Sequence, residues 1–432
     1  MKKLLPLVLL VMLFNACNKS GLQRPNIIFI MSDDHAAKAI SAYDNSLIET
    51  PNIDRLADNG IRFDRCYCTN AICAPSRAVI LTGKYSHMNG VLDNSRPFEG
   101  EQQTLPKLLQ QAGYQTGIVG KWHLKSEPTG FDHWYVLPGQ GQYYRPDFIS
   151  PEGRESREGY VTDIITDDGI AFIEGRDPEK PFFLMLHHKA PHRNWQPAMR
   201  HLDLYDRVPF PVPDNLHDDY KNRSRAASEQ EMSIARHMSL DYDLKVQDSL
   251  VKKKDIEQEI FFRAGDGYLD ERMGKEDFSR WMSYYSARAD EYNSLPDDED
   301  TILEWKYRQY MEDYLSCIYT VDENIGRLLD YLVSSGLDDN TIVIYTSDQG
   351  FFLGEHGWYD KRFMYEEAHK MPLLISTPGG DASTDKHMIT NADFAPTILS
   401  LAGAEVPDDM QGTSFSEVIE GSEPDEWRDA VY

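Results

Sequence analysis

The chain is 432 residues long and 41% hydrophobic, with a formal net charge of −27 and a pI near 4.8. That length and apolar content support a large buried core, more than one simple core usually holds, and point to one large domain with an appendage. The acidity argues against nucleic acid as a partner, because phosphate binding needs a basic surface, and it obliges any anionic substrate to find a local basic pocket.

In chain order, residues 1–17 (MKKLLPLVLLVMLFNAC) come first. A two-lysine start, a short apolar stretch and a small residue before Cys17 read as an export signal with the shape of a bacterial lipoprotein signal, Cys17 becoming the lipidated first residue. The expected location is therefore the periplasm or outer membrane of a Gram-negative bacterium, with a lipid anchor as the one route to membrane attachment. Without Cys17, Cys66, Cys68, Cys73 and Cys317 are left, too few and too unevenly spaced for a disulfide framework. Cys66, Cys68 and Cys317 read as small buried hydrophobes.

Five nearly continuous apolar runs come next: residues 26–31 (NIIFIM), 115–119 (QTGIV), 182–186 (FFLML), 341–345 (TIVIY) and 372–376 (PLLIS). Strands covered on both faces look like this. Between them lie helical patterns. Residues 50–60 (TPNIDRLADNG) place Thr at a cap, Pro at the first helical position and Gly past the end, and 307–332 is a long helix candidate. Strands alternating with helices imply an α/β fold around a large, mostly parallel central sheet. Residues 201–300, charged and dotted with aromatics, read as a helical insertion between the third and fourth runs. The acidic residues 296–301 (PDDEDT) read as a solvated turn before a helix.

The residues just past each strand carry the chemistry. The first run leads into Ser32, Asp33, Asp34 and His35; the second into Gly120, Lys121, Trp122 and His123; the third into His187, His188 and, four residues on, His192; the fourth into Ser347, Asp348, Gln349 and Gly350. In open α/β sheets, ligands sit outside the carboxyl ends of the strands. Asp33, Asp34, Asp348 and Gln349 are hard oxygen donors suited to Ca²⁺ or Mg²⁺. Lys121, His123, His192 and Arg77 suit an anionic group under attack or departure, so the combination points to phosphoryl or sulfuryl transfer. The nucleophile is expected in residues 73–83 (CAPSRAVILTG), where Cys73 stands at a helix N-terminus whose dipole lowers a thiol pKa.

This stretch resembles the signature of the type I, formylglycine-dependent sulfatases. The resemblance extends in order through PNIIFIMSDDH, CAPSRAVILTGKYSHMNG, GIVGKWHL, PFFLMLHHKAPH, TSDQGFFLGEHGWYDKR and ADFAPTILSLAG. It implies an alkaline-phosphatase-like fold and oxidation of Cys73 to formylglycine by a maturation enzyme. The hydrated aldehyde would attack sulfur with one hydroxyl and expel sulfate with the other. It also implies one Ca²⁺ held by Asp33, Asp34, Asp348, Gln349 and residue 73. Many relatives carry Asn where Gln349 stands. Arg77 and Lys121 would orient the nucleophile, His123 assist it, His192 protonate the leaving oxygen in preference to His187 or His188, and Lys361 grip the sulfate. His356 and Arg362 are candidate pocket residues.

The implied catalytic domain spans 24–420, and 421–432 would begin a smaller C-terminal antiparallel subdomain that is missing or truncated. Residues 348–367 and 227–238 look most like bacterial carbohydrate sulfatases grouped near the N-acetylglucosamine-6-sulfatases. The implied substrates are glycosaminoglycan or mucin fragments carrying 6-O-sulfated N-acetylglucosamine. The alternatives are a phosphate or phosphonate ester hydrolase of the same superfamily and a non-catalytic lipoprotein that binds sulfated glycans.

Overall fold

The computed structural model describes residues 24–252 and 269–432. The export signal and Cys17 lie outside the described residues. Among those residues ten strands form one sheet: β1 (Asn26–Ser32), β2 (Gly60–Phe63), β3 (Gln115–Lys121), β4 (His133–Leu137), β5 (Asp147–Ser150), β6 (Gly153–Ser156), β7 (Phe182–His187), β8 (Thr341–Ser347), β9 (Leu373–Ser376) and β10 (Ser383–Asp385). Their order is β10, β2, β9, β8, β1, β7, β3, β4, β5, β6. The middle of the sheet, from β8 through β1, β7 and β3 to β4, is parallel. All five predicted runs are strands, but the last, β9, runs antiparallel to β8 and β2, and β5 and β6 close the far edge as an antiparallel pair.

The helices that matter for the site are α1 (Pro51–Asp58), α2 (Cys73–Thr82), α3 (Leu105–Gln111), α4 (Val161–Gly175), α5 (Lys275–Ser294), α6 (Glu299–Ser335) and α7 (Phe394–Leu401). Successive strand residues point to opposite faces, so the apolar runs feed two cores. Ile28 and Ile30 of β1 join Leu184, Leu186, Val343 and the α6 residues Tyr314 and Ile318 in one. Ile27, Phe29 and Met31 join Phe183, Met185, Ile344 and the α2 and α7 residues Ile80 and Ile398 in the other. Cys66, Cys68 and Cys317 are free and buried, as the sequence indicates.

Two sequence expectations change. Among its described residues, 201–300 is not helical throughout. Among the described part, 202–252 is mostly turns with short helices at Arg225–Glu229 and Ile234–His237, and only α5 is long. Pro209, Pro211 and Pro213 explain part of this, since each removes a helix donor and biases its predecessor to extended backbone. The cap of α1 also differs. Thr50 makes no side-chain cap bond, its hydroxyl being engaged with Ser41 and Asp54. Asp322, on α6, accepts instead from the Asn52 and Ile53 backbone amides at 3.0 and 2.8 Å. The predicted helix over 307–332 lies within the 37-residue α6, which starts where Asp298 accepts from Thr301 N and ends at left-handed Gly336. The PDDEDT turn is thus the N-cap of α6. Residues 421–432 form no strand; Trp427 donates to the Met388 carbonyl and Arg428 pairs with Asp393.

Candidate active site

Parallel register assembles the site. Ser32 of β1 pairs with Ser347 of β8, and Met31 with His187 of β7. Asp33 and Asp348, each one residue past the register pair, therefore emerge side by side. Gly120 of β3 also pairs with His187, which brings Lys121 to the same edge. Gly120 has φ +102°, and a Cβ there would stand 2.0 Å from the His187 carbonyl oxygen, so only glycine lets β3 and β7 meet at this point. Helix α2 arrives against these strand ends with Cys73 in its first turn and Gly83, at φ +63°, closing it.

The side chains converge at almost no exposure. Arg77 spans the acidic pair, its Nη2 lying 2.9 Å from Asp348 Oδ2 and 3.2 Å from Asp33 Oδ2 while Nη1 donates to the Lys121 carbonyl at 2.7 Å. Lys121 forms an ion pair with Asp33, and Lys361 donates to both oxygens of Asp34. Cys73 Sγ is 3.6 Å from Asp33 Oδ1, and His192 Nε2 is 3.8 Å from Asp34 Oδ2. Asp33, Cys73 and His192 bring one ligand atom each within 4.8 Å of one another, as do Asp33, Asp34 and Asp348.

Burial and charge pull these groups apart. Burial opposes ionisation of Asp33, yet Lys121, His192, Arg77 and Lys361 together hold its carboxyl well below the usual carboxylate range. Burial lifts Asp34 to about 7 against the pull of Lys361, and burial with the neighbouring Asp33 raises Asp348. Burial pushes His123 down to about 3 and His192 well below the ordinary imidazole value. Cys73 corrects an expectation. Burial, reinforced by Asp33, drives its thiol far above the ordinary value, so desolvation outweighs the helix N-terminus and the unmodified side chain is a protonated thiol, not a thiolate.

The cluster fits a hard divalent cation. Three carboxylates crowd together, and Gln349 Oε1 is buried without a hydrogen-bond partner while its Nε2 donates to Asp348 Oδ1 at 2.7 Å. Exchanging the amide's N and O, which differ only by a flip, would offer a fourth oxygen to such an ion.

The candidate residues fall into two groups. Asp33, Asp34, Cys73, Arg77, Lys121, His192, Asp348, Gln349 and Lys361 share this network, and His123 lies close enough to feel Lys121 and Asp33. His356 is engaged elsewhere, with Nδ1 2.7 Å from Asp218 and its ring against Trp358 and Tyr365. Arg362, half-exposed, pairs with Asp360 and lies close enough to the network to feel Cys73 and Asp34. Of the rival histidines, His187 turns Nδ1 to the Lys121 carbonyl at 3.1 Å, and His188 is fully buried with neither ring nitrogen hydrogen-bonded. Sequence reasoning missed Ser76, whose hydroxyl donates to the Asp348 carbonyl and accepts from Asn391 at 2.9 Å. Its signal was its place in the CAPSR motif.

The sequence and fold are similar to those of known proteins. A family model described as Sulfatase matches residues 25–404. The N-acetylglucosamine-6-O-sulfatase of Bacteroides thetaiotaomicron is 53% identical over 421 residues, covering 96% of this chain and 74% of the relative. The human N-acetylglucosamine-6-sulfatase is 26% identical, over 95% of this chain and 67% of the relative. Among solved structures, BT4656 in complex with its substrate D-glucosamine-2-N,6-O-disulfate superposes with a TM-score of 0.87 at 53% identity, covering 94% of this chain and 82% of that one. The phosphonate monoester hydrolase of Agrobacterium radiobacter, at 20% identity and TM-score 0.65 over 94% of this chain and 78% of that one, shares the fold.

Proposed function

Because the chain belongs to the sulfatase family, we propose that it removes 6-O-sulfate from glucosamine-type residues of glycosaminoglycan or mucin fragments. It is a sulfuric ester hydrolase acting on carbohydrate. The observation that carries the finer reading is the convergence of three carboxylates, three cations and His192 on Cys73, in a chain 53% identical to an N-acetylglucosamine-6-O-sulfatase.

In this reading Asp33, Asp34, Asp348, Gln349 and residue 73 would hold one Ca²⁺, which would supply positive charge to a pocket that otherwise sets three carboxylates against three cations. That is the local basic surrounding a sulfate ester needs on a protein of net charge −27. Oxidation of Cys73 to formylglycine by a maturation enzyme supplies the nucleophile as an aldehyde hydrate, and the raised thiol pKa supports this over attack by sulfur. Arg77 fixes Asp33 and Asp348 relative to residue 73 through its planar fork. Lys121 and His123 flank the nucleophile, and Lys361 offers its ammonium to the sulfate oxygens.

His192 is the acid for the leaving sugar oxygen. Its Nδ1 lies 2.6 Å from the Arg193 carbonyl, which can only accept, so Nδ1 carries a proton in either charge state; Nε2, which faces Asp34, must take up a second proton before it can pass one to the leaving oxygen, and the approach of an anionic sulfate ester favours that imidazolium against burial. Residues 1–17 export the protein to the periplasm or outer membrane, with Cys17 lipidated.

Peptide mass of residue 73 in protein from its native host, followed by sulfate release from 6-sulfated N-acetylglucosamine, tests the proposal. Formylglycine at 73 with release is expected. Ca²⁺ should also raise the melting temperature of the wild type and leave Asp348→Asn unshifted. An unmodified Cys73 in active native protein would overturn the mechanism, and modified protein that releases no sulfate would overturn the substrate.

A further inference from the structure

The loop that carries His192 has no regular secondary structure, and its backbone carbonyls are held by side chains from distant elements. Tyr143 donates to the His192 carbonyl at 2.6 Å, Tyr160 to the Gln196 carbonyl at 2.8 Å, and Tyr144 to the Pro197 carbonyl. The insertion grips the same loop twice. Asp243, wholly buried, receives Arg193 Nε and Nη2 at 2.5 and 2.6 Å in a bidentate pair, and Lys245 Nζ donates to the Trp195 carbonyl at 2.7 Å. Lys245 reaches on to Asp313 of α6 at 2.7 Å, and Asp313 is also held by Arg288 of α5. The path therefore runs from two rigid helices through Asp243 and Lys245 to the residues beside His192.

We propose that the insertion serves as a clamp for the general acid, with Asp243 and Lys245 as positioning residues that fix the His192 loop at the distance proton transfer requires. The inference rests on the sulfatase reading, and in particular on His192 as the acid. Small misplacement of a catalytic group costs rate far more than it costs binding, because only the transition state feels the proton transfer. A residue that merely stabilised the fold would instead loosen the molecule broadly.

The test uses the full-length, formylglycine-bearing enzyme and the variants Asp243→Asn, Asp243→Glu, Lys245→Met and Lys245→Arg. Sulfate release from 6-sulfated N-acetylglucosamine is measured alongside amide hydrogen exchange. Asp243→Asn and Lys245→Met should lower kcat by tenfold to a hundredfold with KM within about threefold. Exchange should quicken at least tenfold in residues 192–197 but not in α5 or α6, and the charge-conserving Asp243→Glu and Lys245→Arg should recover part of kcat. An unchanged kcat, or loss accompanied by faster exchange throughout α5 and α6, would overturn the clamp while leaving the sulfatase reading intact. Wild-type protein that carries formylglycine yet releases no sulfate would overturn both.

Discussion

At the scale of single residues, the site depends on shape as well as charge. Arg77 contacts Asp33, Asp348 and the Lys121 carbonyl at once through nitrogens held apart in a plane, a spread that the single nitrogen of an ammonium does not have. Arg77→Lys keeps the charge and is expected to lower kcat for sulfate release at least a hundredfold, because Asp33 and Asp348 lose their common brace; steady-state kinetics on the 6-sulfated sugar checks this, and a loss under threefold would contradict it. Asp33, Asp34, Lys121 and Asp348 were legible in sequence because each directly ends or follows an apolar strand. His356 and Arg362 were not separable from the site residues by sequence. They sit in the same stretch as Lys361, and only side-chain direction turns His356 away to Asp218 while Arg362, on Asp360, stays within reach of the charges of Cys73 and Asp34.

At the scale of elements, helices here are capped and tied across the fold as well as from within. Asp322 of α6 accepts from the Asn52 and Ile53 amides, which have no intrahelical partner at the start of α1, and from Asn52 Nδ2 at 2.8 Å, placing a carboxylate at the positive end of that helix. Asp322→Ala should destabilise the protein by about 1–3 kcal/mol, the range for losing a charged cap with its partners left unsatisfied. A denaturant midpoint indistinguishable from wild type would show that Thr50 or water takes over. Residues 50–60 announced the helix correctly from their Thr, Pro and Gly. The cap itself lies some 270 positions away in sequence, beyond any local pattern.

At the scale of the whole molecule, a buried ionic knot joins the insertion to the α/β body. Arg288 of α5 meets Glu312 and Asp313 of α6, and Lys245 meets Asp313. Burial, aided by Asp313 and opposed by Arg288 and Arg308, lifts the Glu312 carboxyl to about 7 from its ordinary 4.5. The folded protein thus holds this proton more tightly than the unfolded chain. The stability it contributes is complete below pH 4.5 and is lost as pH rises through 7, a change of up to about 3 kcal/mol. Denaturation of wild type and Glu312→Gln at pH 5 and pH 8 measures it: the wild type should lose more stability across that interval than the variant, and equal losses would show that Glu312 ionises normally. The amino-acid sequence by itself determined the α/β class, the parallel core strands, the metal-type oxygen donors and the cysteine at the head of α2. Those features arise from local period, turn chemistry and the rule that strand ends gather at one edge. Only the tertiary structure decided that burial overrides the helix dipole at Cys73, that residues 202–252 are mostly irregular, and that Asp243, Lys245 and three tyrosines hold the His192 loop. Desolvation and long-range hydrogen bonds depend on which distant residues become neighbours, and no pattern along the chain encodes that.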